Sequence, residues 1–171
     1  INVTDDINLA IQRNIIHNMR IVENDDQNLE ARSELVYDSA MGENGVLKIN
    51  KNTDFQCHMI QHQYGAYTHT NHGLGLAVIH PALYRHIAPA APEQFSYWAQ
   101  EVWNIDPADK DDLAIAQEGI DALEAFIKEM NLPTSFAELG GEATDEILHA
   151  VADTAILTPG CAKKLSRDEI F

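Results

Sequence analysis

Cysteine is nearly absent from this chain of 171 residues: Cys57 and Cys161 are the only two. They are too few for a disulfide scaffold and too far apart for a metal knuckle, so both read as free thiols of a reducing cytosol. Cys57 adjoins His58, yet a small buried side chain is a simpler reading than a reactive thiol. Basic residues are scarce as well, 11 Lys and Arg against 27 Asp and Glu, for a net charge of −16. Phosphate backbones demand the opposite sign, which argues against nucleic acid as a partner, and an anionic membrane surface is disfavoured for the same reason. No stretch approaches the roughly 18 apolar residues of a membrane helix, and the opening residues carry neither the charged nor the apolar region of an export signal. A cytoplasmic protein, kept in solution by its acidity, is expected. Strand-like alternation, hairpin dipeptides between apolar runs, internal repeats and low-complexity tracts are missing too.

What remains is helical periodicity. From Thr4 to about Val22 apolar residues recur at intervals of three and four, with Thr4, Asp5 and Asp6 as a capped, acidic first turn. A second helix, from about Asn28 to Met41, presents Leu29, Leu35, Val36, Tyr37 and Ala40, with Arg32 either solvated or paired with Glu34 or Asp38. Further helices are expected from Gly73 to about Ile87, from Glu93 to Trp103, from Asp109 to Met130 and from Thr144 to about Ile156. Pro81 should kink the first of these or mark its first turn, and Pro107 sits where a first-turn proline would start the long one. Ser135 with Glu138, and Ser166 with Glu169, both fit the reciprocal capping box. An all-α fold follows, six to eight helices in a bundle around a buried histidine-bearing helix, and the length suits one domain.

The stretch from Asp54 to Pro81, DFQCHMIQHQYGAYTHTNHGLGLAVIHP, carries the chemistry. It holds His58, His62, His69, His72 and His80, five of the eight histidines. On a helix His58 and His62 lie at i and i+4, a metal-ligand spacing, and Gly65 and His69 fall near the same line. A zinc-protease signature would need glutamate directly after the first histidine, where Met59 stands. A di-iron bundle would place glutamate three residues before each histidine, where Phe55 and Met59 stand. On a continuous helix His72 would lie about 21 Å beyond His58, at a rise of about 1.5 Å per residue. The break at Thr70-Asn71-His72-Gly73 is what allows it to turn back. His80 and His86 face different ways and read as structural, and His149 reads as an isolated surface residue.

The pattern HxxxHxxxxxxxxxHG, at His58, His62, His72 and Gly73, resembles the C-terminal helical domain of the iron-containing alcohol dehydrogenases, above all the branch of butanol dehydrogenases and broad aldehyde reductases. The segments beginning at Glu30 (EARSEL), Ala77 (AVIHPAL) and Trp98 (WAQEVWNID) resemble the same branch, so the likeness covers nearly the whole chain. It implies a dehydroquinate synthase-like helical domain in which His58 and His72 bind a divalent metal, Fe²⁺ or Zn²⁺. It also implies that His62 lies near the metal and the nicotinamide, as a catalytic and cofactor-contacting residue.

Further implications are NAD or NADP bound mainly by another domain, a small alcohol or aldehyde substrate, and a homodimer. Enzymes of this kind carry an N-terminal nucleotide-binding domain and a DxxxH pair that completes the metal site. Here Leu9 and Ala10 stand four residues after Asp5 and Asp6, so that pair is not present. The expectation is that residues 1–171 form one α-helical metal-binding domain, a fragment of a polypeptide that continues on both sides. It would hold half a metal site and be inactive alone. The alternative is a non-enzymatic helical metal-binding or interaction domain that completes its own site.

Overall fold

Asn2 starts the first helix. Its side-chain oxygen accepts the Thr4 amide at 2.9 Å, and the Asp5 carboxylate accepts the Asn2 amide at 2.8 Å. This reciprocal box satisfies amides that a helix start leaves without partners. The cap is therefore Asn2 and not Thr4, which lies inside the first turn, buried, with its hydroxyl donating to the Ile49 carbonyl at 2.9 Å. The computed structural model describes residues 1–171.

In chain order the helices are α1 (Val3–Asn24), α2 (Leu29–Glu43), α3 (Gln56–Thr68), α4 (His72–Ile87), α5 (Pro92–Trp103), α6 (Asp112–Glu129), α7 (Phe136–Leu139), α8 (Asp145–Thr154) and α9 (Arg167–Ile170). Short 3₁₀ turns occupy Val46–Lys48 and Ala88–Ala90, and no strand is present. The fold is all-α. Two of the nine helices, α7 and α9, are single turns of four residues, which leaves seven of full length.

Several local signals resolve differently from the pattern in the sequence. Helix α4 runs through Pro81 without a break, although a proline there forfeits the amide bond to the Ala77 carbonyl. Pro107 belongs to the loop before α6, which is capped instead by Asp111, whose side chain accepts the Ala114 amide at 2.8 Å. Ser135 caps α7, but the Glu138 carboxylate reaches one residue further back, to the Thr134 amide at 2.8 Å, so the box is not reciprocal. At α9 it is reciprocal, with Ser166 and Glu169 each accepting the other's amide.

Helix α2 departs most from expectation. Leu29, Val36 and Tyr37 are 78%, 71% and 61% exposed. The helix packs on α1 along the line of Ala31, Leu35 and Asp38, one residue per helical turn, and of these Ala31 and Asp38 are fully buried. The buried Asp38 accepts the Asn14 amide group at 3.0 Å, and Arg32 donates to the Asp26 carbonyl at 3.1 Å without pairing with Glu34 or Asp38.

The core lies under α4. Ile79, Leu83 and Ile87 pack with Cys57 of α3 and with Leu165, while Ala88, Ala116 and Ile120 form a second cluster below α6. Tyr84 and Phe95 touch both, and Tyr84 meets the rings of Phe95 and Trp98 edge-on at 5.3 and 5.9 Å. Helices α5 and α6 approach closely at Gly119, where a β-carbon would sit 2.4 Å from the Ala99 β-carbon and 3.0 Å from its α-carbon. Replacing Gly119 by alanine should therefore destabilise the chain by about 1–3 kcal/mol through overpacking. A guanidinium unfolding midpoint equal to that of the unaltered chain would contradict this contact.

Candidate metal centre

Helix α3 has no side-chain cap of its own on Phe55. Asp54 takes that role by accepting the Gln56 amide at 2.9 Å and also the Cys161 amide at 2.9 Å, which ties the helix start to the C-terminal segment. The buried Gln56 adds two bonds across the same seam, to the Lys163 carbonyl and from the Leu165 amide, both at 2.8 Å. One face of α3, Gln56, Cys57, Gln61 and Tyr64, is thereby buried, and the face bearing the histidines is left open. The helix is buried on one side only.

Its end is a reversal. His69 adopts the left-handed conformation at φ 58°, with its amide on the Gly65 carbonyl at 2.8 Å. Asn71 then caps α4, accepting the Leu74 amide at 3.2 Å, so that His72 is the first residue of the new helix. The chain folds back. Ring centres of His58 and His72 come to 5.3 Å, those of His62 and His72 to 5.1 Å, and those of His58 and His62 to 6.1 Å. His69 itself is exposed at the corner.

Two imidazoles sharing one tetrahedral cation, at about 2.1 Å per nitrogen, have ring centres about 5 Å apart. The separation of His58 and His72 meets that requirement, and so does that of His62 and His72. No group of three or more His, Cys, Asp or Glu side chains is arranged to hold an ion, so the corner lacks the closed ligand shell of a self-sufficient structural site. Burial, and then the neighbouring His72 and His62, hold the His58 pKa below its ordinary value, against a weaker upward pull from Glu43. The neutral imidazole thus favoured is the form that binds metals.

The remaining histidines divide as their spacing suggests. His80 lies behind the cluster, its ring 5.3 Å from that of Tyr84, with its pKa pushed down to about 4, first by burial and then by His58. His86 meets Glu169 at 3.1 Å. His149 stands apart from the cluster and stacks face to face on Phe171, with ring centres 3.8 Å apart. Periodicity did not single out Gln61. Its carbonyl oxygen bonds to His72 Nδ1, and it lies opposite two glycines, Gly65 and Gly75, a contact between two helices that no local pattern announces.

A family model described as the Fe-containing alcohol dehydrogenase family, C-terminal, matches residues 1–171. The chain is 31% identical over 164 residues to the probable NADH-dependent butanol dehydrogenase 1 of Bacillus subtilis, covering 95% of this chain and 42% of that protein. It is also 31% identical over 139 residues to NADH-dependent butanol dehydrogenase A of Clostridium acetobutylicum, covering 81% of this chain and 36% of that one. Its fold superposes on the crystal structure of NADH-dependent butanol dehydrogenase A from Thermotoga maritima with a TM-score of 0.90 at 21% identity, covering 99% of this chain and 44% of the other. The chain thus spans less than half the length of these relatives.

The half-buried His80 makes stability sensitive to acid. Its folded pKa of about 4 lies below the value of about 6.5 expected when unfolded. The unfolded chain therefore binds the extra proton first, and this contribution to stability is present above pH 6.5 and lost as the pH falls towards 4. Urea midpoints should fall across that window, and the fall should be shallower in His80→Gln; parallel curves for the two proteins would remove His80 from the explanation.

Proposed function

Because the chain belongs to the Fe-containing alcohol dehydrogenase family, matching its C-terminal model throughout, we propose that it is the metal-site domain of an NAD- or NADP-dependent alcohol dehydrogenase or aldehyde reductase. The substrates would be short aliphatic alcohols and aldehydes, in line with the butanol dehydrogenases and the NADPH-dependent aldehyde reductase of Escherichia coli among its relatives. The observation that carries this reading is the gathering of three imidazoles from two helices at one corner, with neighbouring ring centres 5.1 to 6.1 Å apart. His58 and His72 would hold Fe²⁺ or Zn²⁺, and a carboxylate and a further imidazole would come from the part of the enzyme outside these 171 residues. When bound there, the cation would supply Lewis acidity at the oxygen of an alcohol or aldehyde.

The chain's own residues do the rest of the work at this corner. His58, kept neutral by burial and by its neighbours, offers a lone pair at neutral pH without first releasing a proton. His62 is exposed one turn further along α3, where it would be open to a substrate hydroxyl or to the nicotinamide ring. Its imidazole is suited to orient the alcohol and to pass its proton to solvent. The packed face of α3, with Tyr64 against Phe136 at 4.3 Å, keeps these rings on a rigid support.

Two measurements test the proposal. Calorimetric titration of the metal-free chain with Zn²⁺ should show binding weaker than about micromolar, because two imidazoles are fewer than the three or four protein ligands usual for zinc. His58→Ala and His72→Ala should each abolish the binding, while His62→Ala should retain it. Sub-micromolar, stoichiometric binding with a shell drawn wholly from this chain would favour a self-sufficient metal-binding module instead. The second measurement is turnover. The purified 171-residue chain should not reduce butanal with NADH or NADPH, and activity under those conditions would overturn the view that the nucleotide is held elsewhere.

A further inference from the structure

Gln61 is 2% exposed and lies on α3 between the two histidines of that helix, turned towards α4. Its side chain occupies a slot lined by two glycines. A β-carbon at Gly75 would sit 2.8 Å from both Cγ and Nε2 of Gln61, and one at Gly65 would sit 3.1 Å from Nε2. Gly75 follows His72 by three residues on α4, so the two lie on the same face of that helix, and this face meets Gln61. At the end of the slot the Gln61 carbonyl oxygen, Oε1, is bonded to Nδ1 of His72.

A neutral imidazole carries one N–H and one lone pair. An amide oxygen only accepts, so a bond between Nδ1 and Oε1 requires Nδ1–H to donate and leaves the Nε2 lone pair free. Histidines that bind metals characteristically donate their second ring N–H to such a partner, which sets both tautomer and ring direction.

We propose that Gln61 is a positioning residue of this centre: held in place by Gly65 and Gly75, it selects the Nδ1–H tautomer of His72 and aims Nε2 at the corner shared with His58. The inference rests on the reading of His58 and His72 as ligands. It extends that reading by naming what prepares one of them before any metal arrives. Because the acceptor is a neutral amide, the tautomer is set without adding a negative charge beside the ligand. The two glycines are part of the device, since a side chain at position 75 would displace the amide.

The test begins with the nitrogen-15 spectrum of the metal-free, unaltered chain, which should show His72 as the Nδ1–H tautomer; the Nε2–H form would overturn the inference by itself. Gln61→Met keeps the volume and removes the acceptor. It should erase the tautomer preference and lower Zn²⁺ affinity by about 10- to 100-fold, with helical circular dichroism unchanged. Gln61→Glu restores an acceptor and should recover both tautomer and affinity, a rescue that a purely structural glutamine would not show. Should Gln61→Met fail to fold, the unaltered chain and Gln61→Glu still decide the matter. His58→Ala and His72→Ala separate the two levels of argument. If neither alters Zn²⁺ affinity, the ligand assignment fails; if both abolish it while Gln61→Met changes neither tautomer nor affinity, only the role of Gln61 fails.

Discussion

The reversal between α3 and α4 is the constraint on which the rest of this molecule turns. Three residues separate the helices, and the first of them, His69, sits in the left-handed region at φ 58°. For a residue with a β-carbon this conformation costs about 1–2 kcal/mol. The cost is offset locally by the amide of His69 on the Gly65 carbonyl, by the 3.0 Å contact between the hydroxyls of Thr68 and Thr70, and by the fresh cap that Asn71 provides. Without that sharp return His72 would continue away from His58. With it, the first residue of α4 reaches back to rings on the preceding helix.

A reversal alone would leave a loose corner. The start of α3 is anchored by Asp54 and Gln56 to residues 161–165, more than a hundred positions along the chain. That segment is in turn closed by α9. Glu169 accepts from Lys163, from His86 and from the Ser166 amide, and its pKa is driven down to about 2, chiefly by Lys163. The inward residues of α3 pack against α4 and α8 while the histidines face outward, so a rigid, buried backing carries a polar, accessible front.

Much of the helical plan was legible in the residues. The period of α1, α5, α6 and α8, the caps at Ser135 and Ser166, and the break before Gly73 all express local backbone chemistry, which acts within a few residues. The misreadings share a cause. Leu29, Val36 and Tyr37 look like a core stripe, yet α2 has only α1 and a 3₁₀ turn to lean on, and its seam is the narrower line of Ala31, Leu35 and Asp38. Pro107 resembles a helix start, but Asp111, four residues later, supplies a side-chain acceptor for an amide and a proline cannot.

The candidate centre divides along the same boundary. The amino-acid order by itself determined that His58 and His62 share a helix face, that a turn separates them from His72, and that no glutamate stands where a protease or di-iron site would need one. Only the tertiary structure decided that the histidine face is open and its reverse buried, and that Gln61 reaches His72 between two glycines. Periodicity reports which side chains align along a single helix. It carries no information about a bond between residues eleven positions apart on two helices, which exists only once the chain has folded back on itself.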